Sequence, residues 1–150
     1  MDKFDKEILR SLQYDASITA SELGTKIGLS QAAVWRRIHK LEEEGYIRKQ
    51  VTLLNGDKLG CGTLVLAHVK LTAHGRAHFD EFTEKIKELP NVIECFVVLG
   101  DQDFFLKIVV KDVYEYEQFF FKKLSNIEGV AEIRSSVALS KIKNDTELPI

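Results

Sequence analysis

The sequence predicts an α+β protein: a three-helix N-terminal domain of the helix-turn-helix kind, followed by a ferredoxin-like βαββαβ domain with an antiparallel sheet. Three observations point there. Apolar residues recur every three to four positions up to Ile47, and alternate along extended stretches from Leu64 onward. A glycine-containing turn of three residues separates two segments that each carry a helix start signal. Leu89-Pro90-Asn91-Val92-Ile93-Glu94 resembles Ile127-Glu128-Gly129-Val130-Ala131-Glu132, a faint repeat at two helix-to-strand junctions.

Phe4, Ile8, Leu9 and Leu12 define one face of the first helix, and Asp15 to Ser17 supply a polar turn. Thr19-Ala20-Ser21-Glu22 reads as a capping box, in which the hydroxyl and the carboxylate each satisfy an otherwise unpaired amide of the first turn. Ile18 and Leu23 flank it as a hydrophobic staple. Gly28 stops this second helix, and Gly24 is small where two helices must cross. Ser30 caps a third helix whose buried stripe is Val34, Ile38 and Leu41, and Gly45 ends it in the left-handed conformation. The domain spans 1–47. Residues 48–60 form a connector, extended over Arg48 to Leu54 and turning at Asn55-Gly56-Asp57, and 61–150 form the second domain.

In the second domain the expected elements are a strand at Leu64–Leu71, a helix at His74–Leu89, strands at Val92–Leu99 and Phe104–Val110, a helix after Asp112, and a strand at Val130–Leu139. The helices cover one sheet face. The opposite face is also apolar: Leu64 and Leu66 alternate with Val65 and Ala67, and Phe105 and Val109 with Phe104 and Leu106. A sheet apolar on both faces calls for cover on both, and a second copy related by a two-fold axis supplies it, so a homodimer is expected.

Bulk properties bound the function. At 150 residues with 45% hydrophobic and 29% charged residues the composition is that of a globular protein. No apolar stretch approaches the roughly 18 residues a membrane helix needs, and MDKFDKEIL does not read as a signal peptide, so no membrane association and a cytoplasmic location are expected. Cys61 and Cys95 lack metal or disulfide spacing. His74 and His78 stand four apart but no third ligand completes a metal site, and no catalytic triad or cofactor motif is present. Neither an enzyme nor a cofactor is expected. The net charge of −2 argues mildly against a nucleic-acid binder, yet Arg36, Arg37, Lys40, Arg48 and Lys49 cluster locally.

The third helix therefore reads as a recognition helix for double-stranded DNA. Ser30, Gln31, Ala32 and Trp35 lie near its start, where side chains reach base edges; Arg36, Arg37 and Lys40 suit phosphates. Trp35 fits either a DNA contact or partial burial in the core. The loop Gly100-Asp101-Gln102-Asp103 offers close backbone approach, amides for a carboxylate and a carboxylate for an ammonium, although the same residues make an ordinary hairpin turn. The aromatic group Tyr114, Tyr116, Phe119, Phe120 and Phe121 has the spacing of a packed helix.

The run DKEILRSLQYDASITASELGTKIGLSQAAVWRRIHKLEEEGYI, the connector ending in LG, the GDQDF loop and the closing SSVALSKIKNDTELP together resemble the Lrp/AsnC family of regulators over nearly the whole chain. The resemblance implies a DNA-binding domain, a hinge strand, and an effector domain that forms dimers and often rings of dimers. It implies an amino-acid effector bound at contacts between dimers, with Asp103 at the ligand's amino group and Ser136, Val137 and Ala138 as the other contacting stretch. The expected function is sequence-specific, effector-responsive transcription regulation. Two competing readings are a tetrapyrrole decarboxylase of haem biosynthesis, whose architecture resembles this one, and a DNA-compacting protein that senses nothing. His68 and Arg134 are the residues the first would draw on, and they form no evident cluster in the sequence.

Overall fold

The computed structural model describes residues 1–150, which divide into two compact units: Met1–Leu53 together with Ile142–Ile150, and Leu54–Lys141. In the first unit, α1 (Lys3–Tyr14), α2 (Ala20–Ile27) and α3 (Gln31–Glu43) each begin on a side-chain cap. The Glu22 amide donates to the Thr19 hydroxyl at 3.2 Å, while the Glu22 carboxylate accepts from the Thr19 amide at 2.8 Å. Ser30 accepts from the Ala33 amide at 3.2 Å. A second capping box, between Asp2 and Asp5, has no counterpart among the expected signals because Asp replaces the usual Glu or Gln at its third helical position. Each such cap contributes on the order of 1 kcal/mol.

Gly28 adopts φ 74°, which turns the chain sharply out of α2 at little steric cost. Gly45 ends α3 in the same conformation, φ 78°. A methyl group at Gly24 would stand 2.5 Å from the Leu29 carbonyl oxygen, so α2 and the turn approach too closely for any other residue. Ile8, Leu23, Val34 and Leu41 form the core, with the staple residues Ile18 and Leu29 packed against it.

The connector departs from the expected strand. Residues 48–56 form no regular element, and Asp57–Leu59 make one 3₁₀ turn. An extended segment needs a neighbouring strand for its amides, and none pairs with it in this chain. The end of the chain also departs from expectation: Ile142–Ile150 group with the first unit rather than with the domain that precedes them. The Gln13 side-chain amide donates to the Leu148 carbonyl and accepts from the Leu148 amide, both at 2.9 Å.

The second unit has the βαββαβ order. β1 (Thr63–Leu71), β2 (Val92–Val97), β3 (Phe104–Val110) and β4 (Val130–Val137) form one antiparallel sheet in the order β2-β3-β1-β4. The expected helix at 74–89 is two, α4 (Ala73–Ala77) and α5 (Phe79–Lys87), broken where His78 takes φ −116° and ψ 39°. α4 is pinned by close approach, because a Cβ on Gly75 would overlap the Gly129 backbone, and the Thr72 amide donates to the Gly129 carbonyl at 2.8 Å. α6 (Val113–Lys122) is capped by Asp112.

Val65, Ala67, Val69, Leu71, Phe104, Leu106, Ile108 and Val110 line one sheet face and bury Phe82, Ile86, Tyr116 and Phe119 of the helices. Phe104 lies between Phe79 and Phe82, with centroids at 4.9 and 4.5 Å. The other face carries Leu64, Leu66 and His68 of β1, Phe105, Lys107 and Val109 of β3, Phe96 and Glu94 of β2, and Ser136, Arg134 and Glu132 of β4, so its apolar patch is edged by charged and polar side chains. Phe96 is 49% exposed, an unusual position for an aromatic ring on a strand.

Candidate functional site

The capped start of α3 decides what that helix presents. With Val34 and Leu41 buried and Ile38 partly buried, the helical period turns Gln31, Ala32, Trp35, Arg36 and Lys40 outward. Trp35 is 62% exposed, which answers the choice between core and surface. Its indole stacks on His39 at 5.1 Å and 16°, forming a flat aromatic step on the helix. His39 is absent from the residues expected on this face; its place four residues after Trp35 was the available signal. The Lys40 ammonium lies 3.6 Å from Glu44, an exposed pair that water keeps weak. Ser30 is exposed, with its hydroxyl oxygen engaged as the helix cap.

Arg37 differs from its neighbours. Its guanidinium reaches 2.6 Å to Asp5 and 2.8 Å to Asp2, and lies over the Phe4 ring. These hydrogen bonds, the one to Asp5 foremost, raise the Arg37 pKa further, and the Asp2 carboxyl is held below its usual value chiefly by the Asp5 amide. The expected phosphate ligand is thus occupied in joining α3 to α1.

In the second unit, Gly100 to Asp103 form the turn between β2 and β3. The Asp103 amide donates to the Val69 carbonyl at 2.9 Å, and its carboxylate accepts from the Leu71 amide at 2.7 Å, with Arg76 3.8 Å away. One carboxylate oxygen therefore secures the loop to β1. Gln102 has a buried side-chain oxygen with no hydrogen-bond partner, which is costly unless something donates to it. Next to the loop, Glu132 grips Arg134 through two bonds of 2.7 and 3.2 Å. Arg134 holds the Glu132 carboxyl below its ordinary value, and Glu132 raises the guanidinium in turn.

The second expected stretch lies elsewhere on the sheet. Ser136 is paired with Leu66 and Val137 with Val65, and the Ala138 amide donates to the Leu64 carbonyl at 2.9 Å. Asp103 sits against Val69 to Leu71, some five residues further along β1, or roughly 16 Å at a strand's rise. One chain does not bring the two stretches together. His74 and His78 have ring centroids 4.3 Å apart at the α4–α5 junction, and no cluster of three or more metal-ligating side chains is present. Cys61 and Cys95 are both free.

A winged helix-turn-helix DNA-binding family matches residues 1–48, and the Lrp/AsnC ligand binding domain matches residues 64–148. The chain belongs to the Lrp/AsnC family. It is 37% identical to the glutamate uptake regulatory protein of Zymomonas mobilis over 150 residues, covering 100% of this chain and 91% of that protein. It is equally 37% identical to the transcriptional regulator AzlB of Bacillus subtilis, over 100% of this chain and 96% of that one. The fold matches the crystal structure of an AsnC family transcriptional regulator from Agrobacterium tumefaciens with TM-score 0.93 and 37% identity, over 99% and 97% of the two chains. A transcriptional regulator from Neisseria meningitidis, solved with L-methionine, superposes with TM-score 0.94 at 30% identity, over 99% and 96%. As an Lrp/AsnC protein this chain is a transcription regulator that joins a DNA-binding helix-turn-helix to a ligand-binding domain. Its relatives include transcription regulators such as AzlB and the DNA-binding transcriptional activator DecR of Escherichia coli, and no helix is long and apolar enough to cross a membrane.

Proposed function

We propose that the protein binds specific duplex DNA through α3, and that an amino acid alters its assembly or its DNA affinity. The exposed start of α3 carries the first part: Gln31, Ala32 and the Trp35 step face solvent together, as base-reading groups must. Arg36 and Lys40 flank them as phosphate ligands, while Arg37 is left to hold the helix. A bacterial regulator of the same fold whose crystal contains L-methionine supports an amino acid as the class of effector.

The distance between the two effector stretches bears on assembly. A ligand held by Gly100, Asp101, Gln102 and Asp103 and also by Ser136, Val137 and Ala138 takes them from different copies of the chain. The apolar patch of Leu64, Leu66, Phe105, Val109 and Phe96 on the open sheet face supports a homodimer, and a ring of such dimers would bring the loop of one near the strand end of another. An effector that binds one assembly better than another shifts the population toward it, and the coupling is reciprocal. The cytoplasm is the compartment in which such a regulator meets DNA.

The test is a gel-shift titration with a duplex selected in vitro by the wild-type protein. Arg36→Ala is expected to weaken binding and to lower the dependence of log K on log salt by about 0.9, the increment of a single phosphate, with sedimentation unchanged. Unaltered affinity and salt slope would remove Arg36 from the interface. Thermal melting against the twenty amino acids tests the effector, since a ligand of the native form raises the midpoint.

A further inference from the structure

The chain passes between its two units twice, once near Leu53 and again near Lys141, and the second passage follows directly on the strand that carries Ser136 to Ala138. Beyond that passage the segment does not hang free. Gln13 of α1 makes a two-point bond to the backbone of Leu148, in the manner of an adjoining strand. Arg10, one turn earlier on the same face, donates from Nε to the Ile150 carbonyl oxygen at 2.6 Å. Ile150 folds back through its own amide onto the Leu148 carbonyl at 2.9 Å and is only 38% exposed. Lys26 of α2, which also lines this groove of about 390 Å³, donates to Ser11 at 3.2 Å.

Two features make this a built contact. Gln13 uses both halves of its side-chain amide on the N–H and C=O of one residue, Leu148, so both of its polar atoms are satisfied together. Arg10, Gln13 and Tyr14 of the last turns of α1 line the groove together with the buried Ser11 and with Lys26 of α2, so two helices of this unit form the seat of the segment.

We infer that residues 147–150 are a latch: docked on the Arg10–Gln13 face of α1, they link the end of β4 to the DNA-binding unit, so that a change at Ser136–Ala138 reaches α3 through this segment as well as through the connector at 48–53. The inference of coupling rests on the effector reading above; the docking itself does not. A tether fixed at both ends restricts a domain far more than one flexible linker does, because each closed loop removes orientations the single link would permit.

Gln13→Ala removes both bonds, and Leu148→Pro removes the amide that Gln13 accepts from, without touching α3. Hydrogen exchange on the full-length protein is the first measurement. The wild-type segment around Leu148 is expected to exchange slowly, and either variant to speed it about tenfold, with the double variant no faster than the singles. Wild-type exchange at the rate of a free peptide overturns the latch whatever the effector does. The second measurement is DNA affinity with and without saturating L-methionine, or whichever of the twenty amino acids raises the melting midpoint. Gln13→Ala is expected to keep basal DNA affinity and ligand-induced melting, and to lose most of the ligand-induced change in DNA affinity. A full response in a variant whose segment exchanges freely overturns the coupling and leaves the effector reading intact. If no amino acid raises the wild-type midpoint, the effector reading falls and the coupling with it, and the exchange result alone then decides the docking.

Discussion

The two units reach stability by different means. The DNA-binding unit has four fully apolar buried side chains, Ile8, Leu23, Val34 and Leu41, and relies on a capping residue at the head of each helix. The effector unit buries fourteen residues in one cluster, most of them on β1 and β3, and its central strands are held along their whole length by antiparallel partners. In the first, hydrogen bonds between residues three apart determine where helices begin. The second uses such caps too, at Thr72 and Asp112, but its sheet depends on pairings such as Val69 with Phe104 and His68 with Arg134, between residues far apart in the chain. Local bonds survive small rearrangements of packing, whereas a slipped sheet register turns every side chain to the wrong face.

The largest expected effect breaks the second unit and spares the first. Phe104→Ala removes the ring between Phe79 and Phe82 and is expected to cost about 3–5 kcal/mol. Trp35 is the only tryptophan and lies on α3, so its fluorescence follows the first unit alone while circular dichroism follows both. An early dichroism transition with an unmoved Trp35 transition is the expected result; a joint shift would mean that the units unfold as one.

Gly24→Ala attacks the first unit where packing, not capping, is decisive. The added methyl meets the Leu29 carbonyl, part of the backbone, so α2 and the turn must separate. A loss of about 1–3 kcal/mol is expected in the Trp35 transition, with DNA binding impaired at temperatures where the sheet remains folded.

The smallest effect sharpens the capping argument. The Thr19 hydroxyl and amide hold the Glu22 carboxyl below its ordinary value of 4.5, so the charged form is favoured in the folded chain. Its contribution is present above that value and is lost as pH falls through the lowered pKa. Glu22→Gln should therefore melt below wild type near neutrality and converge with it in acid. Parallel curves across the range would separate Glu22 from the acid sensitivity of the domain.

Much of the site was legible in the residues themselves. Thr19, Gly24, Gly28 and Ser30 carry signals that act within a few residues, and the structure uses each of them in the manner those signals imply. The strands at 63–71 and 104–110 followed from alternation, since a buried face repeats every second residue. The break at His78 was not legible from periodicity, and beside it Gly75 meets Gly129, a contact between segments far apart in the chain that neither specifies alone.

The sequence alone determined the starts of α2 and α3, the turn before Ser30, the outward face of α3 and the alternation along β1 and β3, because each depends on periodicity or on bonds between near neighbours. Only the tertiary structure decided that Arg37 serves Asp2 and Asp5, that Asp103 secures its loop to β1 apart from Ser136, and that Leu148 returns to α1. In each of these the partners are about thirty residues apart or more, and nothing in either segment specifies the other until the backbone has brought their hydrogen-bonding groups within reach.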